Sequence, residues 1–140
     1  MAEYLTVEIV TPQKRRVYEQ AVSCSAPGVS GNFQILVNHT DFMSQLDIGE
    51  LKITTADSQN LEFALSGGFL EVKDNRILLL LESFEAPDEI DVERAQKALE
   101  RARQRLRENP PGTDLERARI AMARAMNRLR VAKKVLISQN

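Results

Sequence analysis

Apolar residues recur along this chain with two different periods. In the first part the period is two: Leu5, Val7 and Ile9 alternate with Thr6, Glu8 and Val10, and Leu61, Phe63 and Leu65 alternate with Glu62, Ala64 and Ser66. Side chains on a strand leave alternately from opposite faces, so this alternation predicts half-buried strands. Leu51, Ile53 and Thr55 continue it more weakly. The run Ile77 to Leu81 is too short and too uniformly apolar for a surface helix, and predicts a strand covered on both faces. Turn-forming pairs separate the runs: Thr11-Pro12, Pro27-Gly28, Ser30-Gly31, Ile48-Gly49, Asp57-Ser58, Gly67-Gly68 and Asp74-Asn75. Short strands with turns at such spacing indicate a β sandwich or barrel.

Beyond Ala86-Pro87-Asp88 the period changes to three and four. Val92, Ala95, Leu99, Ala102 and Leu106 form one stripe; Leu115, Ala118, Met122, Ala125, Leu129, Ala132 and Leu136 form another. Each predicts an amphipathic helix with a single apolar face. Asn109-Pro110-Pro111-Gly112 stops the first helix, and Thr113-Asp114-Leu115-Glu116 reads as a capping box that starts the second. A short stop and a strong start predict an antiparallel hairpin. Alanine at alternate seam positions lets the backbones approach closely but buries little area. The expected organisation is therefore a β domain over 1–86 and a two-helix domain over 87–140.

Charge divides at the same place. Residues 1–90 hold 6 Lys/Arg against 14 Asp/Glu, and residues 91–140 hold 13 against 6, so a net charge of −1 conceals one acidic and one basic part. All seven aromatics, Tyr4 to Phe84, precede the helices. No apolar run approaches membrane-span length, and no basic-then-apolar leader pattern is visible. One cysteine, Cys24, has no disulfide partner within the chain, and with one histidine a zinc site is not expected. Cys24 is expected to pack, and His39 to be a hydrogen-bonded loop or core histidine.

Catalytic signatures are missing. There is no phosphate-binding G-x-x-x-x-G-K-[ST] loop, and Ser66-Gly67-Gly68-Phe69 lacks the nucleophile-elbow pattern, leaving a turn or bulge as its reading. One constellation carries chemistry. Asp91 and Arg94 open the first helix, Glu85 precedes it, and Arg124 and Arg128 lie four apart on the second. In an antiparallel hairpin these ends meet. Guanidinium forks suit phosphate, and carboxylates accept from an adenine amino group. On spacing alone, Asp91 as a helix cap and the arginines as a solvated face is the plainer account.

Several segments together resemble the epsilon subunit of bacterial F-type ATP synthase: Val10-Thr11-Pro12, Ala26-Pro27-Gly28-Val29-x-Gly31, Ile35-Leu36-x-Asn38-His39, Ile48-Gly49-Glu50-Leu51-Lys52-Ile53, Ser66-Gly67-Gly68-Phe69-Leu70-Glu71-Val72, Ile90-Asp91-x-x-Arg94-Ala95 and Arg124-Ala-Met-Asn-Arg128-Leu129. The resemblance implies a sandwich of about ten short strands followed by a C-terminal helical hairpin. It implies a non-catalytic rotor subunit on the cytoplasmic side of the bacterial inner membrane, attached peripherally. The sandwich would bind gamma and the c-ring loops. The helices, when extended, would reach the alpha and beta subunits and block ATP hydrolysis. Glu85, Asp91, Arg94, Arg124 and Arg128 match positions that bind ATP in some members, where ATP is a regulatory ligand and no cofactor is required. The chain departs from the family pattern at Asn32, Gln34, Val37 and Thr40, and is more polar and bulkier than expected at Asp41, Phe42 and Met43. A nucleic-acid-binding module using the arginine-rich hairpin is the alternative; the acidic remainder and the lack of a helical aromatic speak against it.

Overall fold

The computed structural model describes residues 3–138, with side chains through residue 133. The chain divides into two compact units, Met1–Glu85 and Ala86–Asn140.

Among the described residues the first unit contains seven strands: β1 (Leu5–Val10), β2 (Arg15–Gly28), β3 (Gly31–Leu36), β4 (Phe42–Thr55), β5 (Asn60–Lys73), β6 (Arg76–Leu81) and β7 (Phe84–Glu85). The order β1-β6-β5-β4-β2 returns to β1 through an additional β1–β2 pairing, so five strands close into a ring, with β3 outside β2 and β7 on β5. The β1–β6 pair is parallel and the other pairings are antiparallel. Alternation places Leu5, Val7 and Ile9 of β1, Leu51 and Ile53 of β4, and Ile77 and Leu79 of β6 in the interior, each at most 1% exposed.

Two expectations are corrected here. The strands number seven, not about ten, because β2, β4 and β5 each run for 14 residues. Ile48-Gly49 and Gly67-Gly68 lie inside β4 and β5, where they shape the strand without reversing it. Gly68 has φ +146, and a Cβ there would sit 2.1 Å from the Leu80 carbonyl oxygen. A Cβ on Gly49 would meet the Pro27 ring at 2.5 Å, beside the register slip between Ser25 and Gly28 in the β2–β4 pair. Glycine inside a strand thus marks close backbone approach. The second correction concerns β6, which is covered on one face only: Ile77, Leu79 and Leu81 are buried, but Leu80 is 50% exposed. A strand in a closed ring has one inner face, and the leucine run spans both.

The second unit begins with a 3-10 turn, Pro87–Glu89, whose Glu89 carboxylate accepts the Ala86 amide at 3.1 Å. It continues with α1 (Val92–Glu108) and α2 (Leu115–Ser138). Ala95, Leu99, Ala125 and Leu129 form the buried cluster between the helices, with Ala98 and Met122 packed against it. Residues in the first half of α1 thus meet residues near the middle of α2, and the short connection between the helices makes the hairpin antiparallel. Asn109 ends α1 in the left-handed conformation, φ 44.

Three details of the predicted helices differ. Val92 is 42% exposed, and the preceding Ile90 is buried instead. The cap of α2 is Asp114, whose carboxylate accepts the Arg117 amide at 3.1 Å; the Thr113 hydroxyl donates to the Pro110 carbonyl at 2.6 Å. The turn uses the threonine, so the helix starts one residue later than the capping-box reading. Finally, α2 has more than one buried line: Asn127 and Val131, off the seam, are 3% and 0% exposed. Leu136 of the predicted stripe lies outside the described side chains.

Candidate functional site

Asp91 is the N-cap of α1; its carboxylate accepts the Arg94 amide at 3.0 Å. The plainer account of Asp91 is thus part of its role, since a capping carboxylate satisfies an orphan amide of the first turn. Both Asp91 and the Arg94 side chain are exposed. Arg124 and Arg128 stand one turn apart on α2 and are half-buried. Each of the three arginines comes one position before a residue of the buried cluster: Arg94 before Ala95, Arg124 before Ala125 and Arg128 before Leu129. At 3.6 residues per turn that position lies about 100° off the seam, and on two antiparallel helices the two offsets turn to the same flank. Glu85 belongs to the other unit, where it ends β7 opposite Ala64 and is half-buried.

The sandwich unit offers a different surface. Phe69 of β5 is paired with Leu80 of β6, and Met43 of β4 is paired with Glu71, two residues along from Phe69. Residues two apart share a face, so Met43, Phe69 and Leu80 form one outward patch, 69%, 55% and 50% exposed. Alternation did carry this signal: Leu70 and Val72 take the inner face, which leaves Phe69 with Glu71 outside. At one end of this unit Asn38 and Asn75 tie two loops together. The Asn38 amide donates to Asn75 Oδ1 at 2.6 Å and Asn75 Nδ2 donates to Asn38 Oδ1 at 3.1 Å. His39 sits beside this clasp, its Nδ1 2.7 Å from the Thr40 carbonyl oxygen and its ring edge-to-face with Phe42 at 5.8 Å. Asn32 and Gln34 lie on the outer strand β3 and are exposed, as is Thr40; Val37 is half-buried. Cys24 is fully buried, and burial pushes its thiol up to about 12. Among the described residues no group of three His, Cys, Asp or Glu could hold a metal, and no helix is long and apolar enough to cross a membrane.

Comparison with known proteins resolves the family. Residues 4–87 match the model of the ATP synthase delta/epsilon chain β-sandwich domain, and residues 88–133 that of the delta/epsilon chain long α-helix domain. The chain belongs to the ATP synthase epsilon-chain family. It is similar to the ATP synthase epsilon chain of Carboxydothermus hydrogenoformans, with 47% identity over 111 residues, 79% of this chain and 82% of the relative. With the epsilon chain of Salinibacter ruber it shares 45% identity over 116 residues, 77% and 78% of the two chains. In fold it is similar to a chain of the Euglena gracilis mitochondrial ATP synthase, with a TM-score of 0.80 and 20% identity over 97% of this chain and 83% of that one. As an epsilon chain it is a non-catalytic, central-stalk component of ATP synthase.

Proposed function

We propose that this epsilon chain couples proton translocation to ATP synthesis as a rotor subunit and restrains ATP hydrolysis through its C-terminal helices, with ATP as a regulatory ligand. Residues 1–86 act as the docking module and residues 87–140 as the regulator. The sandwich docks on gamma and on the loops of the c-ring. Its support is the patch of Met43, Phe69 and Leu80, since an exposed apolar face of this kind marks a surface that a partner covers. Docking there holds the chain peripherally at the cytoplasmic face of the bacterial inner membrane.

The observation that carries the regulatory reading is the make-up of the hairpin seam. Ala95, Ala98, Ala102, Ala118, Ala125 and Ala132 lie along it, and Leu99, Leu106, Leu115, Met122 and Leu129 supply the larger side chains. A seam with a single methyl at about every second position is held only moderately, as a moving element requires. In the extended form the cationic α2 engages acidic surfaces of the alpha and beta subunits. In the closed form Arg94, Arg124 and Arg128 present guanidiniums to the phosphates of ATP, and Asp91 contributes a carboxylate. A ligand that binds only the closed form stabilises it by about 2.7 kcal/mol at a hundred times its Kd, roughly a hundredfold change in population.

Two measurements test this. Removing residues 86–140 from the assembled synthase is expected to raise ATP hydrolysis while gamma still co-purifies; unchanged hydrolysis removes the restraining role. Calorimetric titration of the full chain is expected to show ATP binding that Arg124→Ala or Arg128→Ala abolishes and Arg103→Ala leaves intact. A flat titration at millimolar ATP returns Asp91 to a helix cap alone.

A further inference from the structure

The arginine flank of the hairpin does not stop at the residues assigned to ATP. Arg101 precedes the buried Ala102, Arg105 precedes the half-buried Leu106, and Arg117 precedes the buried Ala118. The same one-before-the-seam offset that groups Arg94, Arg124 and Arg128 therefore puts these three on the same flank, toward the loop that joins the helices. Arg94 to Arg105 is three helical turns, about 16 Å of α1 at 1.5 Å per residue. Between the two groups this flank carries the small residues Ala98 and Ala121.

Arg101, Arg105 and Arg117 are exposed, and among the described residues none of the three guanidiniums is in an ion pair. Of the acids one helical turn from them, Glu108 accepts from Gln104 Nε2 at 3.3 Å, and Asp114 accepts the Arg117 amide at 3.1 Å. On the opposite flank the pattern differs, since Arg103 meets Glu100 at 3.7 Å, Arg119 meets Glu116 at 3.9 Å, and Lys133 is interspersed. The cations of one flank are thus all arginine, with Asp91 and Asp114 at its ends engaged as helix caps, while the other flank mixes lysine with arginine and pairs two of its arginines with Glu100 and Glu116. Arginine alone, without lysine, favours oxyanions that accept two parallel N–H bonds. The hairpin carries no aromatic on which a base would stack, which favours bare phosphates over a nucleic acid.

We propose that Arg101, Arg105 and Arg117 form a distal anion site for a condensed phosphate chain, inorganic polyphosphate being its simplest form. The chain lies along the arginine flank, bridges both helices and holds the hairpin closed at its loop end. This site stands on the hairpin geometry and does not depend on the rotor reading.

The test is titration of the full chain with linear inorganic polyphosphate over a range of salt. The variant with Arg101, Arg105 and Arg117 all changed to Gln is expected to bind about tenfold more weakly or worse, with the salt slope reduced by about 2. The opposite-flank variant with Arg103, Arg107 and Arg130 changed to Gln is expected to bind within about twofold of the parent chain. Changing the distal three to Lys keeps the charge, and is expected to lose most of the affinity because the fork is gone. Equal weakening by the two Gln variants, full retention by the Lys variant, or no binding by the parent chain at low salt would overturn the proposal. So would polyglutamate or an oligothymidylate binding as tightly at equal charge.

Discussion

The two units solve the problem of burying apolar surface with different materials. The sandwich interior is filled by Leu5, Ile9, Ile35, Leu51, Ile53, Leu65, Leu70 and Phe84, all at most 2% exposed, within strands that close on themselves. Each such side chain contributes about 1.5–3 kcal/mol when fully buried. The Phe84 ring is further held edge-to-face by Phe63 at 5.6 Å, with the Lys14 ammonium 4.2 Å from its centre. The hairpin seam contributes a single methyl at about every second position, about 0.8 kcal/mol each. A small seam permits close helix approach but little stabilisation. How firmly each unit is held is thus set within one chain by side-chain volume, with the boundary marked by Ala86-Pro87.

The sharpest break of that comparison is a glycine exchange in each unit. Gly68→Val drives a Cβ against the Leu80 carbonyl at a φ of +146, so it is expected to cost more than about 4 kcal/mol and leave the sandwich largely unfolded. Gly112→Ala, at φ +83 in the helix connection with open space around it, is expected to cost about 1 kcal/mol. Urea unfolding followed by circular dichroism separates the two; equal costs would contradict the difference in packing.

Next comes truncation of one leucine in each unit. Leu79→Ala is expected to destabilise the whole sandwich by about 2–5 kcal/mol, because a closed interior cannot collapse into the cavity. Leu99→Ala is expected to open the hairpin alone, with sandwich amides keeping their hydrogen-exchange protection. If Leu99→Ala lowers protection in both units alike, the two are one cooperative block and the division fails.

An effect confined to alkaline pH reports on how dry the sandwich is. Burial raises the Cys24 thiol from 9.0 to about 12, so the folded chain keeps a proton that the unfolded chain loses. This contribution is fully present below pH 9 and is lost as pH rises from 9.0 toward 12, at about 1.4 kcal/mol per pH unit. Cys24→Ala is expected to flatten stability against pH in that window relative to the parent chain. Parallel curves would mean that water reaches the thiol.

The smallest effect concerns the start of α2. Asp114→Ala is expected to cost the hairpin about 1 kcal/mol, and Thr113→Ala about half of that or less, because only Asp114 accepts a first-turn amide. The reverse order in helix content would restore Thr113 as the cap.

How far the sequence could be read differs between fold and site. Alternation marked Leu5, Val7, Ile9, Leu51, Ile53 and Phe63 as interior, and all six are buried. The three-and-four spacing marked Ala95, Leu99, Ala102, Ala118, Ala125, Leu129 and Ala132, and those too are buried. Asp91 as a cap was legible because capping is local chemistry. The outward patch was harder, since which of two alternating sets faces inward depends on the strands that cover it. The buried Asn127 and Val131 gave no signal, because nothing about one helix says what packs on its second face.

Backbone geometry fixes the periods within a few residues, so the sequence alone marks which stretches extend and which coil. Whether a glycine pair reverses the chain or bends it is settled by pairing with distant strands. At Gly67-Gly68 the chain continues as β5, because β4 and β6 are already in place to pair with it on both sides. A turn signal specifies the conformation a residue tolerates. The partner strand supplies the hydrogen bonds that choose between a turn and a kink, and it comes from far along the chain.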